Sequence, residues 1–227
     1  MSKVAFIFPG QGSQSVGMCK DLYENYACAR RTFEEADEAL GFSISKLCFE
    51  GPEDQLRLTF NTQPAILTAS VACARVLAEN GVTCEIAAGH SLGGFVCGQI
   101  AARRPEIKGA VLLMPCNVGR IGKIAQSDPE NAKVLEDVLN DSVNWLTGLT
   151  KGCLYKEATE HEKEYALEYQ AAALSKKPLL CITGSLDICT PKKDHLQPLL
   201  DGIDALGGGN IQVLEYPTDH FFSDYRL

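Results

Sequence analysis

A chain of 227 residues, with 45% hydrophobic and 22% charged residues, can bury one substantial core, and this composition excludes an intrinsically disordered protein. The formal net charge of −8 is spread along the sequence without a basic stripe, so nucleic acid and anionic membrane surfaces are excluded as partners. No apolar run approaches the ~20 residues of a membrane span, and no signal peptide precedes the first strand pattern. We therefore expect a soluble, cytoplasmic protein.

Five short apolar runs alternate with helical patterns along the chain. The predicted strands are residues 4–8, 85–88, 110–114, 178–183 and 211–214. The predicted helices are residues 18–40, 63–80, 95–102 and 125–175, with another after Pro191. This alternation indicates a single α/β domain with a mostly parallel sheet of about five strands, right-handed crossovers and flanking helices.

Two of these helical segments carry more detailed predictions. The helix over 63–80 is expected to bury an apolar stripe that includes Leu67 and Leu77. The long helical stretch between the third and fourth strands, interrupted at Gly148 and Gly152, is predicted to form a cap insertion. Such a cap would lie over the carboxyl ends of the strands, where open α/β sheets have their sites.

The ten cysteines form no C-x-x-C pair and no Cys/His cluster at zinc spacing. Several, such as Cys73, Cys97 and Cys181, stand in apolar surroundings where cysteine behaves as a small hydrophobic residue. We expect reduced thiols, no disulfide framework, no metal site and no cofactor.

Gly89-His90-Ser91-Leu92-Gly93 follows a predicted strand and precedes a predicted helix. The G-x-S-x-G pattern in this context is typical of a nucleophile elbow, in which glycines allow a tight turn that presents the serine. Ser91 is the predicted nucleophile, and the Leu92 N–H is a predicted oxyanion donor. The alternative is a glycine-rich turn with an incidental serine.

Asp187 and His220 follow the fourth and fifth predicted strands. The order Ser91, Asp187, His220 is the chain order of an α/β-hydrolase triad, and loops after parallel strands converge on one rim. The alternative for Asp187 is a turn or helix-cap aspartate. Asp219 and Asp224 are rival acids, but they stand too close to His220 in sequence to reach its far nitrogen easily.

The other three histidines receive different predictions. His161 and His195 fall in or near polar helices and are expected to be solvated. His90 should point away from the nucleophile along the elbow and pack or line the substrate pocket. His220 is therefore the predicted general base.

A glycine-rich turn, Pro9-Gly10-Gln11-Gly12-Ser13-Gln14, follows the first predicted strand. The N–H of Gln11 is the candidate for the second oxyanion donor, with a plain turn as the alternative. The turn is not a dinucleotide fingerprint, because the third glycine and the later acidic residue are missing. No phosphate-binding loop of the G-x-x-x-x-G-K-[ST] type is present either.

Residues 1 to about 92 resemble the N-terminal part of the bacterial malonyl-CoA:acyl carrier protein transacylase family. The resemblance rests on Phe6-Ile7-Phe8-Pro9-Gly10-Gln11-Gly12-Ser13-Gln14, Asn61-Thr62-Gln63-Pro64-Ala65 and the elbow itself. It implies that Gln11 donates to the oxyanion, that Gln63 lines the substrate pocket and that Ser91 carries the acyl group. Gly94 stands where that family has an acidic residue, and neither its carboxylate-binding arginine nor its ferredoxin-like subdomain can be placed.

From Ser91 onward the chain resembles a small esterase of the α/β-hydrolase family, similar to dienelactone hydrolases. Gly184-Ser185-Leu186-Asp187 and Asp219-His220-Phe221-Phe222 fit that pattern. The two resemblances predict a chimera, with a transacylase-like half over 1–92 and a hydrolase-like half over 93–227, joined at the elbow. An engineered recombination is favoured, and a natural fusion remains open.

Three functions follow from these patterns. The first is a serine hydrolase that cleaves small acyl esters or thioesters through an acyl-enzyme. The second is a transferase that moves a malonyl or other acyl group from CoA to acyl carrier protein. The third is an engineered scaffold with little or no activity. The expected partners are a small acyl ester or acyl-CoA and, for the second function, acyl carrier protein, and a homodimer is possible in each case.

Overall fold

The structure is a computed structural model, and it describes residues 4–10, 12–127, 129–130, 132–133, 136–137, 140, 150 and 152–225. The chain divides into two compact units. One comprises Met1–Phe8, Cys84–Val138 and Gly152–Leu227, and the other comprises Pro9–Thr83 and Leu139–Lys151. They are called the sheet unit and the helical unit below. The prediction of a single domain whose halves meet at the elbow stays a prediction.

The sheet unit contains a five-stranded parallel sheet. Its strands are β1 (Ala5–Phe8), β2 (Ile86–His90), β3 (Gly109–Leu113), β4 (Leu179–Gly184) and β5 (Ile211–Tyr216). The strands lie side by side in chain order, β1-β2-β3-β4-β5, and every pair is parallel. The predicted five-stranded parallel sheet is therefore confirmed, and each strand lies within two residues of its predicted bounds.

The helices are, in chain order, α1 (Lys20–Asn25), α2 (Ala27–Leu40), α3 (Ile44–Glu50), α4 (Glu53–Leu56), α5 (Thr59–Glu79), α6 (Leu92–Arg103), α7 (Val118–Gln126), α8 (Cys153–Glu160), α9 (Glu162–Tyr165), α10 (Ala171–Leu174), α11 (Lys192–His195) and α12 (Gln197–Asp204). Short 3-10 turns cover Leu167–Gln170 and Ser223–Tyr225. Within the portion of the chain described here, no helix is both long and apolar enough to cross a membrane.

The core of the sheet unit joins the sheet to the helices that connect its strands. Leu112 and Cys181 are partners across β3 and β4, and both are fully buried in this core. Helices α6, α10 and α12 supply the other side of the core, with α12 contributing Leu199. The flanking-helix prediction is thus confirmed.

The C-terminal end of the predicted cap insertion packs into the core of the sheet unit. Leu167, Ala171 and Leu174 are buried in the core of the sheet unit, so this stretch belongs to the helical layer. Much of the preceding segment, including Gly148, lies outside the described residues. A cap over the strand ends stays a prediction for that part of the chain.

The helical unit has its own core, built mainly from α2 and α5. Phe33 and Ile44 are fully buried there, and the Phe33 ring lies 4.9 Å from that of Phe49. The predicted helix over 18–40 is interrupted at Tyr26, whose backbone is extended and separates α1 from α2.

The predicted buried face of α5 is wrong. Leu67 and Leu77 are exposed, whereas Ala65, Ala72 and Val76 enter the core. The helix carries apolar or small residues around most of its circumference, so two different stripes satisfy helical spacing. The small alanines mark the side that α2 packs against.

Candidate active site

Ser91 lies at a strained turn between β2 and α6. Its φ of 58° and ψ of −121° place it in a region that non-glycine residues rarely adopt. Backbone hydrogen bonds hold it there. The Ser91 N–H donates to the Leu113 carbonyl at 2.9 Å, and its own carbonyl accepts from the N–H groups of Phe95 and Cys116 at 3.1 and 2.9 Å. The structure therefore places Ser91 on the predicted elbow, at the carboxyl end of the sheet.

The elbow glycines permit close approach of the backbone. A Cβ atom on Gly89 would lie 2.3 Å from the Gly93 carbonyl oxygen, which is a direct clash. A Cβ atom on Gly94 would lie 2.9 Å from the Gly89 carbonyl oxygen. A side chain at either position would therefore collide with backbone atoms of this turn. Gly93 differs, since its nearest neighbour would be the Phe8 carbonyl oxygen at 3.9 Å.

Asp187 and His220 form a buried pair in the loops after β4 and β5. The His220 Nδ1 lies 2.8 Å from the Asp187 Oδ2, and the side chains are 8% and 0% exposed, respectively. The other carboxylate oxygen accepts hydrogen bonds from the N–H groups of Cys189 and Thr190 at 2.8 and 2.9 Å. The Thr190 hydroxyl donates to Oδ2 at 2.7 Å.

These contacts determine the charge of the Asp187 carboxylate and the position of the proton on the His220 ring. Burial by itself raises the pKa of Asp187, but the hydrogen bonds from His220 and Thr190 outweigh burial and hold the pKa below its ordinary value. The carboxylate is thus ionised and acts only as an acceptor, so His220 donates from Nδ1. Its Nε2 is then left with a lone pair that can accept a proton.

His90 contacts His220 directly. The His90 Nε2 lies 2.7 Å from the His220 carbonyl oxygen and donates to it, and the two rings are 4.7 Å apart. The ring of Phe222, a residue with a φ of 55°, lies 6.2 Å from that of His90. His90 is adjacent to Ser91 in the chain, so this contact brings the elbow and the His220 loop together at one end of the sheet. Its predicted role in lining a substrate pocket stays a prediction.

Two groups of the elbow concern the proposed chemistry, the Ser91 hydroxyl and the Leu92 N–H. No residue within the described ranges forms a hydrogen bond with the Ser91 hydroxyl, so the contact between Ser91 and His220 is not formed in this state. Catalytic hydrogen bonds of this kind commonly tighten only when substrate binds. Leu92 is the first residue of α6, and first-turn N–H groups have no acceptor inside a helix. Its amide is available to an oxyanion.

Two other predicted site residues are placed differently. Gln11 lies outside the described residues. Gln63 lies on α5 in the helical unit, with an exposed side chain. Their roles in oxyanion and substrate binding stay predictions.

The prediction that His195 is solvated is wrong. His195 is 6% exposed, and its Nδ1 accepts a hydrogen bond from the Asn117 N–H at 3.1 Å. The neighbouring Lys192, Lys193 and Asp194 give the segment a polar appearance, yet the short α11 turns this one side chain inward. Burial lowers the pKa of His195, which keeps the imidazole neutral.

Sequence reasoning missed two neighbours of the acid–base pair. Thr190 supplies both its N–H and its hydroxyl to Asp187, and a threonine three residues after an aspartate is the available signal for such a turn. Cys189 brings a thiol close to the same pair. Ligand atoms of Asp187, Cys189 and His220 lie within 4.8 Å of one another, and no other such group of three occurs in the part of the chain that the structure describes.

Comparisons with known proteins identify the family. The profile of the acyl transferase domain matches residues 5–126. The malonyl CoA-acyl carrier protein transacylase of Bacillus subtilis (strain 168) is 35% identical over 221 residues, covering 90% of this chain and 69% of the relative. That of Escherichia coli (strain K12) is 39% identical over 155 residues, covering 63% of this chain and 50% of the relative. The chain thus spans between about half and two thirds of these two relatives.

Solved structures with matching segments carry similar names. An acyl carrier protein S-malonyltransferase from Vibrio cholerae is 48% identical to the matched segment. The match covers 47% of this chain and 36% of the Vibrio cholerae chain, with a TM-score of 0.40. The acyl carrier protein S-malonyltransferase from Bartonella henselae is 46% identical. That match covers 44% of this chain and 33% of the Bartonella henselae chain, also with a TM-score of 0.40.

These matches revise the predicted seam. The family match continues past the elbow to residue 126, so the transacylase resemblance does not stop near residue 92. The two sequence relatives are transacylases, and they lend no support to a hydrolase-like half or to an engineered chimera. The matched residues cover more than half of the chain, and together with the identity to the Bacillus subtilis relative they show that the chain belongs to the acyl transferase domain family.

Proposed function

We propose that this chain is a serine-dependent transferase that moves a malonyl or similar acyl group from a CoA thioester to the thiol of an acyl carrier protein. The observation that carries the proposal is the buried Asp187–His220 pair, which contacts the loop of a strained serine elbow in a chain of this family. The names of the relatives supply the donor and the acceptor.

The reaction proceeds in two half-reactions. The His220 Nε2 takes the proton of the Ser91 hydroxyl, and Oγ attacks the thioester carbonyl. The Leu92 N–H stabilises the oxyanion, and the Gln11 N–H is proposed as the second donor. The CoA thiol leaves with the proton from His220, and the acyl group remains on Ser91. The carrier thiol then gives its proton to His220, its sulfur attacks the acyl carbonyl, and His220 returns the proton to the Ser91 Oγ as the ester bond breaks.

Arg120 is proposed to bind a carboxylate on the acyl group. It lies in the first turns of α7, four residues after Cys116, whose N–H bonds to the Ser91 carbonyl. Its Nε is buried without a hydrogen-bond partner, and its Nη1 lies 3.7 Å from Glu168. A guanidinium with an unused donor is suited to a carboxylate, although Glu168 offsets part of its charge.

Loading with radiolabelled malonyl-CoA tests the proposal. The wild-type chain should retain one labelled malonyl group after denaturation, and Ser91→Ala should retain none. Arg120→Gln should lose malonyl loading while keeping acetyl loading from acetyl-CoA. Failure of the wild-type chain to take up either acyl group, with far-UV circular dichroism showing it folded, would contradict the transferase.

Hydrolysis is the second candidate, because the order Ser91, Asp187, His220 is also that of esterases. Turnover of p-nitrophenyl acetate measures it directly. Release of nitrophenol that continues without a carrier thiol and disappears in Ser91→Ala would favour a hydrolase. A single burst without turnover would favour the transferase, since the acyl-enzyme then waits for its acceptor.

A further inference from the structure

Two thiols of the helical unit lie in contact, far apart in sequence. Cys19 precedes α1 and Cys73 lies on α5, and their Sγ atoms are 3.7 Å apart. Both side chains are only half-buried, so a small oxidant can reach them. Neither residue takes part in the candidate active site.

The contact gives the two thiols different pKa values. The hydrogen bond with the Cys19 thiol lowers the pKa of Cys73 to about 7, so about half of Cys73 is thiolate at neutral pH. The same hydrogen bond, with burial and the neighbouring charges, raises the pKa of Cys19. Cys73 is therefore the more reactive thiol, and Cys19 stands beside it as a protonated partner.

We propose that Cys19 and Cys73 form a peroxide-sensitive pair that closes to an intramolecular disulfide. In the first step the Cys73 thiolate attacks a hydroperoxide, the O–O bond breaks, and Cys73 becomes a sulfenic acid while the other oxygen leaves as hydroxide or alkoxide. In the second step the Cys19 sulfur attacks the Cys73 sulfur, the S–OH bond breaks, and the Cys19 proton leaves with the hydroxyl as water. The two thiols lose two electrons in total, and the peroxide gains them.

The other cysteines of the same unit are poor competitors. Cys28 and Cys48 are buried in its core, and burial raises the pKa of the Cys48 thiol to about 12. A protonated, enclosed thiol reacts slowly with peroxide. The geometry thus assigns oxidation of this unit to one pair.

The disulfide would tie the residue that precedes α1 to α5, and it would join two cysteines that are 54 positions apart in the sequence. A bond that closes a loop of this length restricts the unfolded chain and raises the thermal midpoint of unfolding. Reduction with dithiothreitol should reverse the change.

Tryptic mapping tests the pair cleanly, because the chain offers one cysteine in each peptide concerned. Cys19 falls in the peptide 4–20 and Cys73 in the peptide 58–75. The full chain is treated with hydrogen peroxide, its remaining thiols are blocked with iodoacetamide, and it is digested without reductant. The 4–20/58–75 cross-link should be the dominant disulfide, and the oxidised chain should melt at a higher temperature.

Two variants separate the steps. Cys19→Ser should lose the cross-link but accumulate a dimedone-reactive sulfenic acid on Cys73, whereas Cys73→Ser should show neither. Cys84→Ser, which removes another half-buried thiol, should still form the cross-link. If the wild-type chain loses its active-site or other thiols to peroxide while 4–20 and 58–75 remain fully alkylated, the proposal is wrong.

Discussion

At the scale of single residues, Asp187 is the proposed acid of the candidate site, because its carboxylate accepts the hydrogen bond from His220. Replacing it with asparagine keeps the volume but removes the charge. The amide can present its NH₂ to the His220 Nδ1, which would shift the proton to Nε2 and leave no base for Ser91. We expect kcat for acyl transfer to fall roughly 10⁴-fold with the fold retained.

Asp219 provides the matched control for that substitution. It is the neighbouring acid, and its carboxylate accepts from the N–H groups of Phe221 and Ser223 instead of binding the imidazole. Asparagine can accept the same two backbone hydrogen bonds and gives up only the one from the Ser223 hydroxyl, so Asp219→Asn should change kcat only a few-fold. Steady-state kinetics on both variants decides the matter, and equal losses would show that Asp187 is not the acid of the triad.

His195 gives a prediction in the pH dependence of stability. Burial holds its pKa in the folded chain below the ordinary value of 6.5, so the unfolded chain binds a proton that the folded chain does not. The free energy of unfolding should therefore fall as pH drops below that value, down to the lowered pKa. This contribution is fully present above pH 6.5 and lost in the acid range.

His195→Gln isolates this contribution, because its side-chain carbonyl can still accept from the Asn117 N–H. Urea unfolding at about pH 7.5 and about pH 5.5 should show a smaller difference between the two pH values for the variant than for the wild-type chain. Every other titratable group is common to both proteins, so its contribution cancels in the comparison. Parallel pH profiles would mean that His195 is not buried as a neutral group.

At the scale of elements, the turn from β2 to α6 requires glycine at one position and not at another in the same motif. An alanine Cβ at position 89 would meet the Gly93 carbonyl oxygen at 2.3 Å, and backbone atoms cannot move away without separating strand from helix. We expect Gly89→Ala to lower the free energy of unfolding by about 3 kcal/mol or more.

Gly93→Ala is the control, because its Cβ would have only the Phe8 carbonyl oxygen within 4 Å, at 3.9 Å. Alanine in the first turn of a helix should leave stability within about 1 kcal/mol of the wild-type value. Urea denaturation followed by circular dichroism compares the two. Equal destabilisation would mean that the elbow does not have this backbone.

The elements also show what sequence could and could not predict. The strands were predictable because each is a short apolar run that ends at a turn, and the elbow was predictable because its glycine pattern has few structural uses. The buried face of α5 was not predictable from the sequence. The stripe through Leu67 and the stripe through Val76 both have helical spacing, and only the packing of α2 decides which of them is buried. The burial of His195 was hidden by its charged neighbours, because one inward side chain leaves no periodic signal.

At the scale of the whole molecule, the described residues form two hydrophobic cores, one in each compact unit. The core around Phe33 draws all its members from the helical unit, and the core around Leu112 draws all its members from the sheet unit. Because no buried residue is shared between them, a cavity in one core removes contacts from that unit alone. Their stabilities should therefore respond separately to substitution.

Phe33→Ala and Leu112→Ala test this separation. Each removes a fully buried side chain and should cost about 3–5 kcal/mol in the unit that contains it. Hydrogen exchange read by mass spectrometry should show faster exchange in α2 and α5 for the first variant, and in β3 and β4 for the second. Exchange that rises equally throughout the described chain in both variants would show that the two cores unfold as one, and the candidate active site would then depend on the helical core as directly as on its own.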